Sequence, residues 1–181
     1  YEEGIKKPGV CQTASVRSPY IYEEDNWTDD MELAAIELYK STQNNRYLQQ
    51  AIEYGRREPV TPWMGADSAR HYQWYPFMNM GHYWLAKTEN NTRLNEEFIR
   101  NIRIGLQRTY EKARQNPFLY GIPAIWCSNN LTTAMLTQCR LYREVTGDST
   151  YEEMEASLRD WLFGCNPWGS SMIVELPLYG D

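Results

Sequence analysis

Three tryptophans that stand shortly before predicted helices are the side chains of this sequence best suited to hold a ligand. Trp27, Trp74 and Trp126 each precede a helix start, and polar capping residues directly follow the Trp126–Cys127 pair. An indole offers a flat apolar face, on which the C–H groups of a pyranose ring can pack. We predict that these three junctions line one rim of an all-helical sugar-binding cleft. We further predict that Asn129 and Asn130 cap the helix that follows Trp126, and that one of the two, Asn129, also offers an amide to a sugar hydroxyl.

The other polar side chains form no recognisable catalytic or metal-binding pattern. Asp29 and Asp30 are adjacent, but neighbouring helical residues point about 100° apart and cannot both face one sugar. Their place in a first helical turn favours an interaction with the helix dipole instead. His71 and His82 lack ligand spacing and partners, and the four cysteines include no C-x-x-C pair. We therefore assign no catalytic residue, no metal and no cofactor to this sequence.

The composition is that of an ordinary globular domain enriched in tyrosine and tryptophan. The 181 residues are 42% hydrophobic and 23% charged, and fourteen Tyr and seven Trp stand against four Phe. The net charge of -6, with no basic run, argues against a nucleic-acid partner. No apolar run reaches the roughly eighteen residues that a membrane span requires, so no membrane partner is expected. The chain begins at Tyr1 rather than Met, which leaves export undecided.

Apolar periodicity predicts six helices, as at Met31, Ala34, Ala35 and Leu38, which recur at i, i+3, i+4 and i+7. The predicted helices cover about 28–42, 46–56, 76–87, 95–113, 129–145 and 149–163. The fifth ends at Gly147, and residues 149–152 form a capping box that opens the sixth. Residues 1–25 show no period and are predicted to be an extended lead-in, and 172–174 a short extended piece.

The connections between these helices predict an all-α fold. Only a short polar break separates the first two helices, which favours an antiparallel hairpin. Pro117 and Pro123 exclude a central strand from the apolar loop between them. We predict a single all-α domain over residues 1–181. The alternation of hairpins with aromatic loops suggests that its six helices are part of a larger ring.

Four stretches carry a resemblance to glycoside hydrolase family 9. Residues 26–39, NWTDDMELAAIELY, resemble the family segment that reads aromatic, Asp-Glu-Leu, Ala-Ala and Leu-Tyr. Residues 126–129, WCSN, are similar to the family's Trp-Gly-Ser-Asn element before a long helix. Residues 146–151, TGDSTY, and 161–172, WLFGCNPWGSSM, resemble its final stretch. The matches follow the family's order through most of the chain.

The resemblance implies part of an (α/α)6 toroid and inverting hydrolysis of β-linked glucan-type substrates. Such chemistry needs two carboxyl groups about 6.5–9.5 Å apart, one acting as acid and one activating water. In the family, the base lies in an Asp-x-Gly-Asp motif upstream of the matched region and the acid is a Glu downstream. Neither motif occurs in these 181 residues. The chain therefore resembles the C-terminal portion of a catalytic domain that needs its remaining part and is inactive alone. A secreted or periplasmic location is suspected from the resemblance.

The resemblance also implies that Trp27, Trp74 and Trp126 occupy positions where the family places sugar-stacking aromatics. Trp63 and Trp168, by contrast, are predicted to be structural. Two other functions stay open: a different (α/α)6 carbohydrate enzyme, such as a sugar epimerase or unsaturated-uronide hydrolase, and a non-catalytic helical binding module. A half toroid would leave the inner apolar side chains short of partners and so favour association; these side chains are Met31, Leu38, Leu131, Met135 and Leu141.

Overall fold

The computed structural model describes residues 1–9, 27–58, 60, 79–88, 91–124 and 128–176. Every regular element in those ranges is an α-helix, so the all-α prediction is confirmed there. In chain order the helices are α1 Glu2–Lys6, α2 Thr28–Thr42, α3 Asn45–Arg57, α4 Met80–Ala86, α5 Thr92–Ala113, α6 Ser128–Thr146 and α7 Glu152–Leu162.

Helices α2, α4 and α6 run in the same direction. The Glu32 carboxylate of α2 contacts His82 of α4, and further along both helices Lys40 of α2 lies over Trp84 of α4. The Tyr83 hydroxyl in the middle of α4 donates to Glu144 near the C-terminus of α6, and Lys87 directly after α4 bonds to the same carboxylate. The N-termini of these three helices therefore lie at one end of the molecule.

The helices between them run in the opposite direction. The Asn95 side chain, near the start of α5, donates to the carbonyl oxygens of Leu85, Ala86 and Thr88 at the end of α4. The Arg143 guanidinium, near the end of α6, pairs with Glu152 at the start of α7. Each of α4–α5 and α6–α7 is thus an antiparallel hairpin, and α2–α3 is a third, turned by Gln43 in the left-handed region and Asn44.

Two hydrophobic clusters form the core. The first joins α2, α3, α4 and the start of α5, and the second joins the rest of α5 to α6 and α7. Helix α5 links them because it contributes Phe98 to the first and Leu106 to the second. Of the inner side chains that were expected to lack partners, Leu131 and Met135 are fully buried in the second cluster. That expectation was wrong for these two, because α5 and α7 cover α6.

The predicted helix positions agree closely with the structure at α2, α3, α6 and α7. The lead-in prediction was wrong for residues 2–6, which form α1; the ring of Tyr1 packs edge-on against Tyr47, a tertiary contact with no periodic signal. The capping box does not form, because the Asp148 carboxylate accepts from the backbone N–H and hydroxyl of Thr150 instead. Residues 172–176 form bends and a turn rather than an extended piece.

Helix α6 begins at Ser128, so Asn129 lies inside its first turn and the predicted Asn129 cap is not observed. Gly147, the predicted stop of α6, has a positive φ of 73°, a conformation that suits glycine at a helix end. In the part of the chain that the structure describes, none of the helices combines the length and apolarity needed to cross a membrane.

Candidate functional site

The candidate site lies at the end of the molecule where α2, α4 and α6 begin. We call this end the rim, and define it by Trp27 before α2, Ser128 and Asn129 in the first turn of α6, and the turn 166–169 after α7. Trp74 and Trp126 fall outside the described residues, but the sequence places Trp126 two positions before α6.

Trp27 stands directly before α2 and is half-buried. Its ring meets Tyr54 of α3 edge-on, with centroids 6.0 Å apart and planes at 69°. A contact of this kind leaves at least one indole face uncovered by the tyrosine. Behind it, the Thr28 hydroxyl donates to Glu58 at 3.2 Å, which joins the start of α2 to the end of α3.

Asn129 is half-buried in the first turn of α6, and its main-chain oxygen accepts from the Thr133 hydroxyl at 3.0 Å. The neighbouring turn carries Thr132, whose hydroxyl bonds to the Tyr120 phenol at 3.0 Å. Burial raises the pKa of Tyr120, although the Thr132 bond opposes that effect, so the phenol stays neutral at ordinary pH. Tyr120 thereby ties the loop before α6 to the first turn of that helix.

Aromatic side chains continue along the rim from this loop to the turn after α7. The Tyr120 ring stacks on Trp161 with centroids 3.8 Å apart and planes at 15°. Phe118 and Trp168 each meet Trp161 edge-on, at 5.7 and 5.8 Å. Trp161 is buried, whereas Trp168, which was predicted to be structural, is 68% exposed. Sequence patterns did not reveal this row because its members are distant in the chain.

A buried pair of a glutamate and a histidine lies between α2 and α4. The His82 Nδ1 atom lies 2.6 and 2.8 Å from the two Glu32 oxygens, and both residues are only 2% exposed. The prediction that His82 lacks a partner was wrong. Glu32 is four residues before Ile36 on the buried face of α2, which is the sequence signal that could have identified it.

Two glycines make room for this pair. A Cβ atom on Gly81 would lie 2.6 Å from Glu32 Cδ, and one on Gly55 would lie 2.7 Å from both Glu32 Oε1 and Phe98 Cε1. The His82 ring also meets Phe98 edge-on at 4.9 Å. The pair and its glycines therefore set the spacing of four helices, and its burial excludes it from contact with a substrate.

The described residues contain no group of three or more His, Cys, Asp or Glu side chains that could hold a metal ion. Asp29 and Asp30 lie in the first turn of α2, as predicted. As consecutive residues of one helix their side chains diverge, so they do not make the facing carboxyl pair that glycoside hydrolysis requires.

Comparison with known families identifies the class of protein. The model of Glycosyl hydrolase family 9 matches residues 1–178, nearly the whole chain. This chain belongs to glycosyl hydrolase family 9. No curated protein and no solved structure matches it at a significant level.

Membership of this family agrees with the fold and defines the general function. The parallel α2, α4 and α6 with antiparallel α3, α5 and α7 are the hairpin arrangement of an (α/α)6 toroid, of which this chain forms part. The chain is a cellulase-like glycoside hydrolase sequence, and the family implies a polysaccharide substrate. Family membership favours this interpretation over the epimerase, uronide-hydrolase and binding-module alternatives.

Proposed function

We propose that this chain forms the aromatic wall of a cleft that holds a β-linked glucan for inverting hydrolysis. Trp27, Trp74 and Trp126 are the sugar platforms, and Asn129 contributes a polar contact to a sugar hydroxyl. The observation that carries the proposal is the common direction of α2, α4 and α6, the helices that these tryptophans precede. Together with the family match, it supports one shared rim rather than three unrelated positions.

The contacts at the rim support binding in physical terms. The Trp27 ring is held from one side by Tyr54, so little rotational freedom is left to lose when a sugar packs on it. The Asn129 side chain lies in a helical turn whose N–H groups and dipole favour oxygen atoms of a ligand. Stacking and a few directed hydrogen bonds are the usual composition of a sugar site.

Hydrolysis requires two carboxyl groups, which Trp27, Trp74, Trp126 and Asn129 do not supply. The 181-residue chain is therefore proposed to bind the glucan without hydrolysing it. Inverting chemistry needs an acid and a base on opposite sides of the glycosidic bond. The chain contains no Asp-x-Gly-Asp motif, and residues 1–181 form the scaffold for a base and an acid located elsewhere in a complete domain.

Calorimetric titration of cellohexaose into the chain and its variants tests the binding proposal. Trp27→Ala and Trp126→Ala should each weaken binding about tenfold, equivalent to about 1.4 kcal/mol. Trp84→Ala is the matched control, because Trp84 packs against Lys40 toward the opposite end of α4 and should leave affinity unchanged.

Turnover assays on cellodextrins and aryl β-glycosides test the proposal that the chain alone is inactive. The chain alone should release no sugar above the rate of a buffer control. Genuine turnover would contradict the proposed inactivity, and unchanged cellohexaose affinity in both rim variants would remove Trp27 and Trp126 from the site.

A further inference from the structure

Trp168 is a large aromatic side chain left in solvent by an otherwise ordered turn. It is 68% exposed, and its edge-on contact with Trp161 covers at most one face of the indole. Exposure of so much apolar surface brings no folding stability, since burial is what stabilises an indole. A single exposed residue needs no explanation, but this one extends a row of packed aromatics at the rim.

The turn that presents Trp168 is held by a buried amide. Asn166 is only 6% exposed, and its Nδ2 donates to the carbonyl oxygens of Trp161 at 2.9 Å and Ser170 at 2.7 Å. Its Oδ1 accepts from the Trp168 backbone N–H at 3.1 Å. Gly169 closes the turn with a positive φ of 64°, where a side chain would be strained. The Trp168 backbone is therefore fixed before any ligand arrives.

The position of the turn connects it to the proposed cleft. Trp168 follows α7, whose last turn carries Trp161, and Trp161 stacks on Tyr120. Tyr120 in turn bonds to Thr132 in α6, one turn after Asn129. A continuous chain of contacts thus runs from the start of α6 to the exposed indole, along one side of the rim.

The chemistry around Trp168 fits an uncharged ligand. The fourteen residues 161–174 include no Asp, Glu, Lys, Arg or His, although charged residues stand at both ends of this stretch. Ser170 follows the turn in the sequence, and the hydroxyl of the next residue, Ser171, bonds to the Leu162 carbonyl oxygen and the Ile173 N–H. An exposed indole in an uncharged stretch suits the apolar face of a neutral pyranose.

We propose that Trp168 is a further sugar-stacking platform, which extends the proposed cleft along the rim past the start of α6 and binds an outer glucose unit of a β-glucan chain. This inference rests on the proposed function, because it takes the rim to be the substrate cleft. Asn166 acts as a positioning residue that orients the platform and does not itself touch the sugar.

Titration of cellohexaose and cellobiose into Trp168→Ala tests the inference. The affinity for cellohexaose should fall about tenfold, equivalent to about 1.4 kcal/mol, and the affinity for cellobiose should change far less, because a short ligand need not reach an outer subsite. Trp168→Phe should recover part of the loss, since it keeps an aromatic face. Phe163→Ala is the matched control: Phe163 is 58% exposed in the same uncharged stretch, outside the aromatic row, and its removal should leave both affinities unchanged.

The outcomes separate this inference from the function on which it rests. Two results would show that Trp168 belongs to a general apolar packing surface, and either would overturn the inference. One is an equal loss of sugar affinity in Trp168→Ala and Phe163→Ala. The other is a loss of self-association of Trp168→Ala in sedimentation with no loss of its sugar affinity. Unchanged affinity in Trp168→Ala beside weakened binding in Trp27→Ala would overturn it and leave the proposed function standing. Absence of cellohexaose binding by the unaltered chain would overturn both.

Discussion

The two halves of the core are held together in different ways. The first cluster, around α2 and α4, contains the buried Glu32–His82 pair with Gly55 and Gly81 closed against it. The second cluster, around α6, is filled mainly with apolar side chains such as Met135 and Leu158. The polar residues buried on α5 and α6 beside it, Thr109, Thr132 and Gln138, are uncharged. One half encloses a contact between a carboxylate and an imidazole, and the other depends mainly on filled volume.

This difference predicts different responses to substitution. A buried polar pair adds little net stability, but removal of one partner leaves a desolvated polar group behind and costs more than the pair contributes. An apolar cluster tolerates a change of shape as long as its volume is kept. The half that carries Trp27 should therefore be the more selective about residue type.

The largest effect is expected for Glu32→Ala. The substitution leaves a cavity and takes from the buried His82 imidazole its carboxylate partner, which together should lower the free energy of unfolding by about 3–5 kcal/mol. Urea denaturation followed by circular dichroism measures the change. Met135→Leu in the second cluster is the contrast and should cost less than about 1.5 kcal/mol. Similar losses in both variants would remove the distinction between the two halves.

A smaller loss is expected for Gly81→Ala. The added methyl group would lie within 2.7 Å of Glu32 carbon atoms, so the pair must shift, and such overpacking costs about 1–3 kcal/mol. Gly4→Ala is the matched control, because its nearest neighbour is the flexible Met31 side chain at 3.2 Å. The same urea titration applies, and a stabilised Gly81→Ala protein would show that the α2–α4 spacing is not fixed by the pair.

The second cluster should respond to alkaline pH through Tyr151. Burial is the main cause that raises the pKa of Tyr151 to about 12, against about 10 in the unfolded chain. Because the unfolded chain releases the proton first, the stability from this group is complete below pH about 10 and is lost as pH rises through 12. Tyr151→Phe should therefore lose less stability than the unaltered chain between pH 8 and pH 11.

The control for this experiment is the stability of Tyr151→Phe at neutral pH. The variant loses the hydrogen bond from the Tyr151 hydroxyl to Gln107, which should cost about 0.5–1.5 kcal/mol at pH 8. Parallel pH profiles for the two proteins would contradict ionisation of a buried Tyr151.

The smallest effect is expected at the exposed bridge between α3 and α5. The Arg56 guanidinium contacts both Glu97 oxygens at 2.7 Å, and this hydrogen bonding lowers the pKa of Glu97. The Arg56–Glu97 pair therefore contributes to stability above the ordinary carboxyl pKa, and this contribution is lost as pH falls through the lowered pKa of Glu97. A lysine cannot form this bidentate contact. Arg56→Lys should therefore lower the free energy of unfolding by about 0.2–1 kcal/mol at neutral pH and by less near pH 3. A loss independent of pH would mean that the ion pair is not its source.

Local patterns in the sequence predicted most of the fold. The stripe of α2 and the glycine after α6 were sufficient to place those helices within a residue or two. Helix α1 has no buried residue of its own, and its position depends on the distant Tyr47, which no local pattern records.

The site was less predictable because its residues meet only in the folded chain. Trp27 could be predicted from its place before a helix. Glu32 received no role in the sequence analysis, although its alignment with Ile36 on one face of α2 indicated burial. The exposure of Trp168 depends on Asn166 and on its edge-on contact with Trp161, whereas Trp168 was predicted from the sequence to be structural.

The most direct test of the account is an NMR titration of cellohexaose that follows the seven tryptophan indole N–H signals. The indole N–H signals of Trp27, Trp74, Trp126 and Trp168 should shift as cellohexaose is added, and all four shifts should give the same dissociation constant. The signals of Trp84, packed under Lys40, and of buried Trp161 should move little. Movement of Trp84 with no change at Trp27 and Trp126, or no movement at all, would contradict a sugar-binding rim where α2, α4 and α6 begin.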